Sequence, residues 1–173
     1  NLQEYGNALD IEAQVREELK SIVKDLEKGT RILETTLQAI HTTTEIPMVV
    51  ERTKAAIVPI IEVFAKLASR VPQGSFYRNH DHWRNISQQI SFLLALTAWL
   101  ERGVLISKKE AEAQLQIAGT TFFIDLDDFL IGLCSLPSEL SRYATNCISR
   151  GDFVTPSKIA TFVGAVFSGF RQL

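Results

Sequence analysis

The chain has 173 residues, 46% of them hydrophobic and 22% charged, with a formal net charge of −2. That length fits one domain, residues 1–173, with apolar residues enough for a single sizeable core, and the composition excludes a disordered chain. The slightly acidic balance excludes global attraction to phosphate, so nucleic-acid binding would need a local basic patch. The longest unbroken apolar run, Phe92 to Leu96, is too short to cross a bilayer. Cys134 and Cys147 would lie roughly 20 Å apart on one helix, too far to bridge. Reduced thiols and an intracellular compartment are the simplest reading, with both cysteines as small apolar core residues.

From the N-terminus, Val15, Leu19, Ile22, Leu26, Leu33, Leu37 and Ile40 recur at helical spacing, with a skipped position at Gly29. Gly29 marks a bend or a close helix crossing. Thr42-Thr43-Thr44 interrupts that pattern. Pro47 opens a second helix with Val50, Ile57, Ile61, Phe64 and Ala68 on one stripe, and Pro59 is expected to kink it. Val71 to Ser75 reads as a turn. A third helix then runs to about Arg102, and its second half, Ile90 to Leu100, is apolar on nearly every side and so central.

Ser107-Lys108-Lys109-Glu110 is a capping box opening a short helix. Asp125-Leu126-Asp127-Asp128 starts another, with carboxylates at the positive end of its dipole, running to about Arg150 with a bend near Pro137. Gly151 suits its stop, and Thr155-Pro156 caps a last amphipathic helix. No strand periodicity, internal repeat or low-complexity tract is present. The expected fold is an all-α, single-domain bundle of about six to seven helices.

The chemistry concentrates in Phe76-Tyr77-Arg78-Asn79-His80-Asp81-His82-Trp83-Arg84, which holds two of the three histidines. Interleaved cations and rings suit a nucleic-acid chain, cations on phosphates and rings on bases. On one helix, however, Arg78 and His82 would face one way and His80 and Arg84 another, so the chemistry alone favours a mixed core-and-surface helix start over nucleic-acid contact. Trp83 fits the core better than a base stack. His80 and His82 diverge on a helix and lack a third spaced ligand, so no metal site is expected. Asp125, Asp127, Asp128 and Glu139 raise the question of a Mg²⁺ hydrolase, but the aspartates suit a helix start and Glu139 lies three turns on.

This cluster, with Ser138-Glu139-Leu140-Ser141-Arg142-Tyr143 through Asn146 to Gly151-Asp152-Phe153 and then Ser168-Gly169-Phe170-Arg171, resembles the translin–Trax family on its translin side. The resemblance runs from about Glu12 onward, specific in those blocks and looser between them. It implies a similar helical fold and assigns single-stranded RNA and DNA binding to Arg78, His80, His82 and Arg84. It further implies a roughly octameric hollow particle in cytoplasm and nucleus. With a Trax-type subunit, that particle is a Mg²⁺-dependent endoribonuclease of RNA silencing and tRNA-fragment processing.

Trax's four catalytic acids correspond here to Gln89, Phe92, Ser135 and Glu139, which implies a subunit without catalytic residues or cofactor of its own. The rival is a homo-oligomer that cleaves RNA weakly through Glu139 and the aspartates. Ile148 to Phe153 corresponds to a segment for which GTP binding has been suggested, but one glycine makes no phosphate-cradling loop. Family members continue past Leu173, so the chain is expected to lack the family's C-terminal helix.

Overall fold

The computed structural model describes residues 1–172 and is 80% helical, with no strand among them. Its α-helices are α1 (Leu2–Gln38), α2 (Ile46–Arg70), α3 (Phe76–Asn79), α4 (Arg84–Arg102), α5 (Lys108–Gln114), α6 (Leu126–Leu133), α7 (Leu136–Ser149) and α8 (Val154–Arg171). Single 3-10 turns occupy Ala39–His41 and His80–His82. No helix among the described residues is long and apolar enough to cross a membrane.

Helix α4 is the centre. Ile90 and Leu93 to Trp99 are all buried, and α1, α2, α5, α6 and α7 each pack against it. The α1 seam is buried from Leu19 to Leu37, with Thr30 filling the turn that Gly29 skips. Gly29 marks a close crossing, since a Cβ there would stand 2.9 Å from Ile60 Cγ1. Helix α2 continues uninterrupted through Pro59, and its buried stripe is Thr53, Ile57, Ile60, Phe64 and Leu67. Ile61 and Ala68 only flank it.

Three expected boundaries move. The third helix breaks into α3, a 3-10 turn and α4, because Asn79 turns its side-chain amide back to donate to Ser75 O and Oγ and competes with the helical bonds. The helix from Asp125 stops at Leu133 rather than bending, and Pro137 falls in the first turn of a new helix, where its missing N–H costs nothing. Helix α8 is capped by Asp152, whose Oδ1 accepts from Val154 N at 3.0 Å and Thr155 N at 3.1 Å, so Thr155 lies inside the helix it was expected to cap. Ser107 Oγ does accept from Glu110 N at 3.1 Å, while the Glu110 carboxylate takes Arg102 instead of closing the box. Both thiols are free, but only Cys147 is buried. Cys134 sits exposed at the end of α6.

One packing detail aims the site. A Cβ on Gly132 would stand 2.9 Å from Ser91 Cβ, so α6 lies against α4 as closely as only glycine permits. Asp128, one turn earlier on that face, is thereby pressed toward the start of α4.

Candidate nucleic-acid interface

The Phe76–Arg84 segment wraps an aromatic nucleus. Phe76 stacks on Phe123 at 3.9 Å between centroids and meets Trp83 at 5.3 Å and Phe122 at 5.4 Å. Trp83 is fully buried, as its chemistry suggested. Phe122 and Phe123 come from the loop before α6, and nothing in the local spacing of the cluster pointed to them. Anchored this way, the segment presents its other side chains from a rigid base.

Arg78 is three-quarters exposed and donates to Glu12 Oε1 at 3.3 Å. Arg84 is half exposed and pairs with Asp81 Oδ1 at 2.9 Å. His82 is half-buried beside them. Tyr77 is exposed, and its hydroxyl donates to Asp125 Oδ1 at 3.2 Å. Loss of water around the hydroxyl, and then that hydrogen bond, hold the phenol above its ordinary range, so Tyr77 is a neutral donor. The segment therefore gathers Tyr77, Arg78, His82 and Arg84 at its surface.

His80 is placed differently. Its ring is buried, with Nε2 at 2.5 Å from Asp128 Oδ2 and Nδ1 at 3.4 Å from Arg84 Nη2. It stands behind the surface, because the same turn that exposes Arg84 points the imidazole inward against Phe76. His80, Asp125 and Asp128 do bring three potential ligand atoms within 4.8 Å of one another. Both ring nitrogens are already engaged, and Asp125 is spent on Tyr77 and on Asp127 N, so this is a closed hydrogen-bond network.

The positions that the resemblance sets against Trax's acids have separate surroundings. Gln89 donates to Glu34 Oε2 at 2.9 Å, Phe92 packs against the core, and Ser135 is exposed. Glu139 Oε1 stands 2.6 Å from His41 Nε2 and accepts from Gln38 at 3.5 Å. These four positions do not fit a Mg²⁺ ion, since their single carboxylate is already bonded within the fold. Arg150 donates to Thr43 O and His41 O at 2.7 and 2.6 Å, tying α7 to the end of α1. With Asp152 capping α8, the Ile148–Phe153 segment is accounted for structurally. It borders a cleft of about 760 Å³ floored by Trp99, Leu100 and Tyr143.

The architecture is thus that of an all-α protein presenting an aromatic–basic turn at its surface. Residues 14–173 match the model of the Translin family. Translin from mouse and from human are each 33% identical over 179 residues, covering 98% of this chain and 77% of theirs. Translin from chicken is 31% identical over 172 residues, covering 96% of this chain and 75% of its own. The chain belongs to the Translin family, and membership supports a nucleic-acid-binding, oligomer-forming protein.

Proposed function

We propose that the face carrying Tyr77, Arg78, His82 and Arg84 binds single-stranded RNA and DNA, guanidiniums on phosphates and the Tyr77 ring on a base. One observation carries the reading. The ion pairs of both arginines are with surface carboxylates, and exposed pairs of this kind are worth about 0–1 kcal/mol, so phosphate can replace Glu12 and Asp81 at little cost. A rigid aromatic base beneath them limits the ordering cost of binding.

In this reading the chain is a scaffold subunit of a roughly octameric particle. A Trax-type partner contributes the Mg²⁺-binding acids of an endoribonuclease that acts in RNA silencing and tRNA-fragment processing, in cytoplasm and nucleus. The engagement of Glu139 by His41 supports a non-catalytic role for this subunit over weak intrinsic cleavage. The test is single-stranded RNA binding by the Arg78→Ala, Arg84→Ala double variant across salt concentrations. Affinity should fall for all sequences, with a shallower salt dependence as counterion release is lost. Unchanged affinity in a folded, oligomeric variant would reject the interface.

A further inference from the structure

We infer that Asp128 is a positioning residue of the nucleic-acid interface, acting through His80 on Arg84. The inference rests on RNA binding at that face. Asp128 is only 2% exposed, and a carboxylate at that depth is tolerated only when it is fully bonded. Its Oδ2 faces His80 Nε2 at 2.5 Å, and its Oδ1 accepts from Gln88 Nε2 at 3.1 Å.

The proton position follows from Arg84. A guanidinium has donors and no acceptor, so the nitrogen facing it, His80 Nδ1 at 3.4 Å, must offer a lone pair. The ring proton is then on Nε2 and is donated to Asp128. Asp128 therefore selects the tautomer that can hold Arg84. The opposite tautomer would aim an N–H at the guanidinium and release it.

Arg84 is thus gripped from two sides, by the exposed Asp81 and by the buried His80. Phosphate can displace the first grip. The second keeps the guanidinium aimed outward while it does so. Gly132 makes the geometry possible, because its lack of a side chain lets α6 bring Asp128 within reach of a residue 48 positions away in sequence.

The experiment is a double-mutant cycle on the full chain, measuring binding of a labelled single-stranded RNA at several salt concentrations. Arg84→Ala, Asp128→Leu and both together are compared, with Asp128→Asn alongside as the isosteric variant should Asp128→Leu not fold. Asp128→Leu should weaken RNA binding about three- to tenfold and flatten the salt slope by about 0.7, as loss of one phosphate contact does. Asp128→Asn keeps an acceptor oxygen for the Nε2 proton but not the charge, so it should act in the same direction with a smaller loss, and neither change should weaken binding further in the Arg84→Ala background. Equal losses in both backgrounds for whichever Asp128 variant folds, or full RNA binding by a folded Asp128→Leu chain, would overturn the role of Asp128 and leave the interface standing. If Arg84→Ala itself leaves affinity and slope unchanged, Arg84 makes no phosphate contact and the inference fails, whereas the interface fails only if the Arg78→Ala, Arg84→Ala double variant also binds unchanged.

Discussion

His41 and Glu139, 98 residues apart in sequence, meet with Nε2 and Oε1 at 2.6 Å and pin the end of α1 to α7. Asn146 approaches the other ring nitrogen at 2.8 Å, so the imidazole is held on both sides. Its side chain is 6% exposed and that of Glu139 is 16% exposed. Arg142, one turn from Glu139, is only a loose neighbour at 3.9 Å. The carboxylate is therefore explained by a long-range structural contact.

Glu139→Ala should destabilise the fold by about 2 kcal/mol, the cost of leaving a part-buried donor without its charged acceptor. Glu139→Gln keeps an acceptor oxygen and should lose less than half of that. Urea unfolding of the three proteins gives the comparison. Equal stability of Glu139→Ala and the parent would show that the contact contributes nothing.

Gly132→Ala should cost about 2–3 kcal/mol, because the added Cβ meets Ser91 Cβ at 2.9 Å and the backbone of α4, neither of which can yield cheaply. Gly164→Ala in α8 is the control. A Cβ there meets nothing within 4 Å, so that change should be neutral or slightly stabilising by the better helix propensity of alanine. Melting temperatures of the two variants should move apart.

Tyr77→Phe keeps the ring and removes only the hydroxyl bonded to Asp125, so RNA affinity should change about twofold or less. Tyr77→Ala removes the stacking surface and should weaken RNA binding about tenfold, consistent with a base–aromatic contact of about 1–3 kcal/mol. Equal affinities of the alanine and phenylalanine variants would show that the ring does not meet a base.

The Asp152 cap sets a pH dependence. Its carboxyl is held below the usual range, first by the Thr155 side chain and then by the backbone N–H groups of Thr155 and Val154. A depressed folded-state value means stability that is present above the unfolded carboxylate pKa, about 4, and is lost as pH falls through the lower folded value. Asp152→Asn, a cap without a titrating charge, should show a shallower fall in melting temperature on acidification than the parent. Parallel curves would remove Asp152 from the acid response.

The helices were legible because burial imposes a period. Leu19 to Ile40 and Ile90 to Leu100 could be assigned from spacing alone. The polar contacts between helices carry no such period. Asp128 resembled one more acid at a helix start, and its partner His80 lies 48 residues away. A hint existed in its placement on the same stripe as Phe129, Gly132 and Leu133, the face of α6 that is buried. The sequence places His80 among Arg78, His82 and Arg84, and a cluster in sequence does not reveal which of its members turns inward. The break at Asn79 is likewise a side-chain competition with the backbone, invisible to apolar periodicity.

Catalytic silence of the isolated chain is the last expectation. Mg²⁺-assisted phosphodiester hydrolysis needs several hard oxygen ligands around an octahedral ion that gives up its waters reluctantly. At the four positions that the resemblance sets against Trax's acids the chain offers an amide bonded to Glu34, a phenyl ring, an exposed hydroxyl and Glu139. Glu139 Oε1 is shared by His41 and Gln38, so recruiting it to a metal would break the junction between α1 and α7. One carboxylate already bonded within the fold supplies too little charge to anchor the ion or acidify its water. The chain alone should leave single-stranded RNA intact in Mg²⁺, and addition of a Trax-type partner should confer cleavage. Glu139→Gln, which keeps the hydrogen-bond geometry but removes the charge, should leave the cleavage rate of the partnered complex unchanged. Mg²⁺-dependent cleavage by the unpartnered chain, abolished in Glu139→Gln, would place the catalytic acid in this subunit after all.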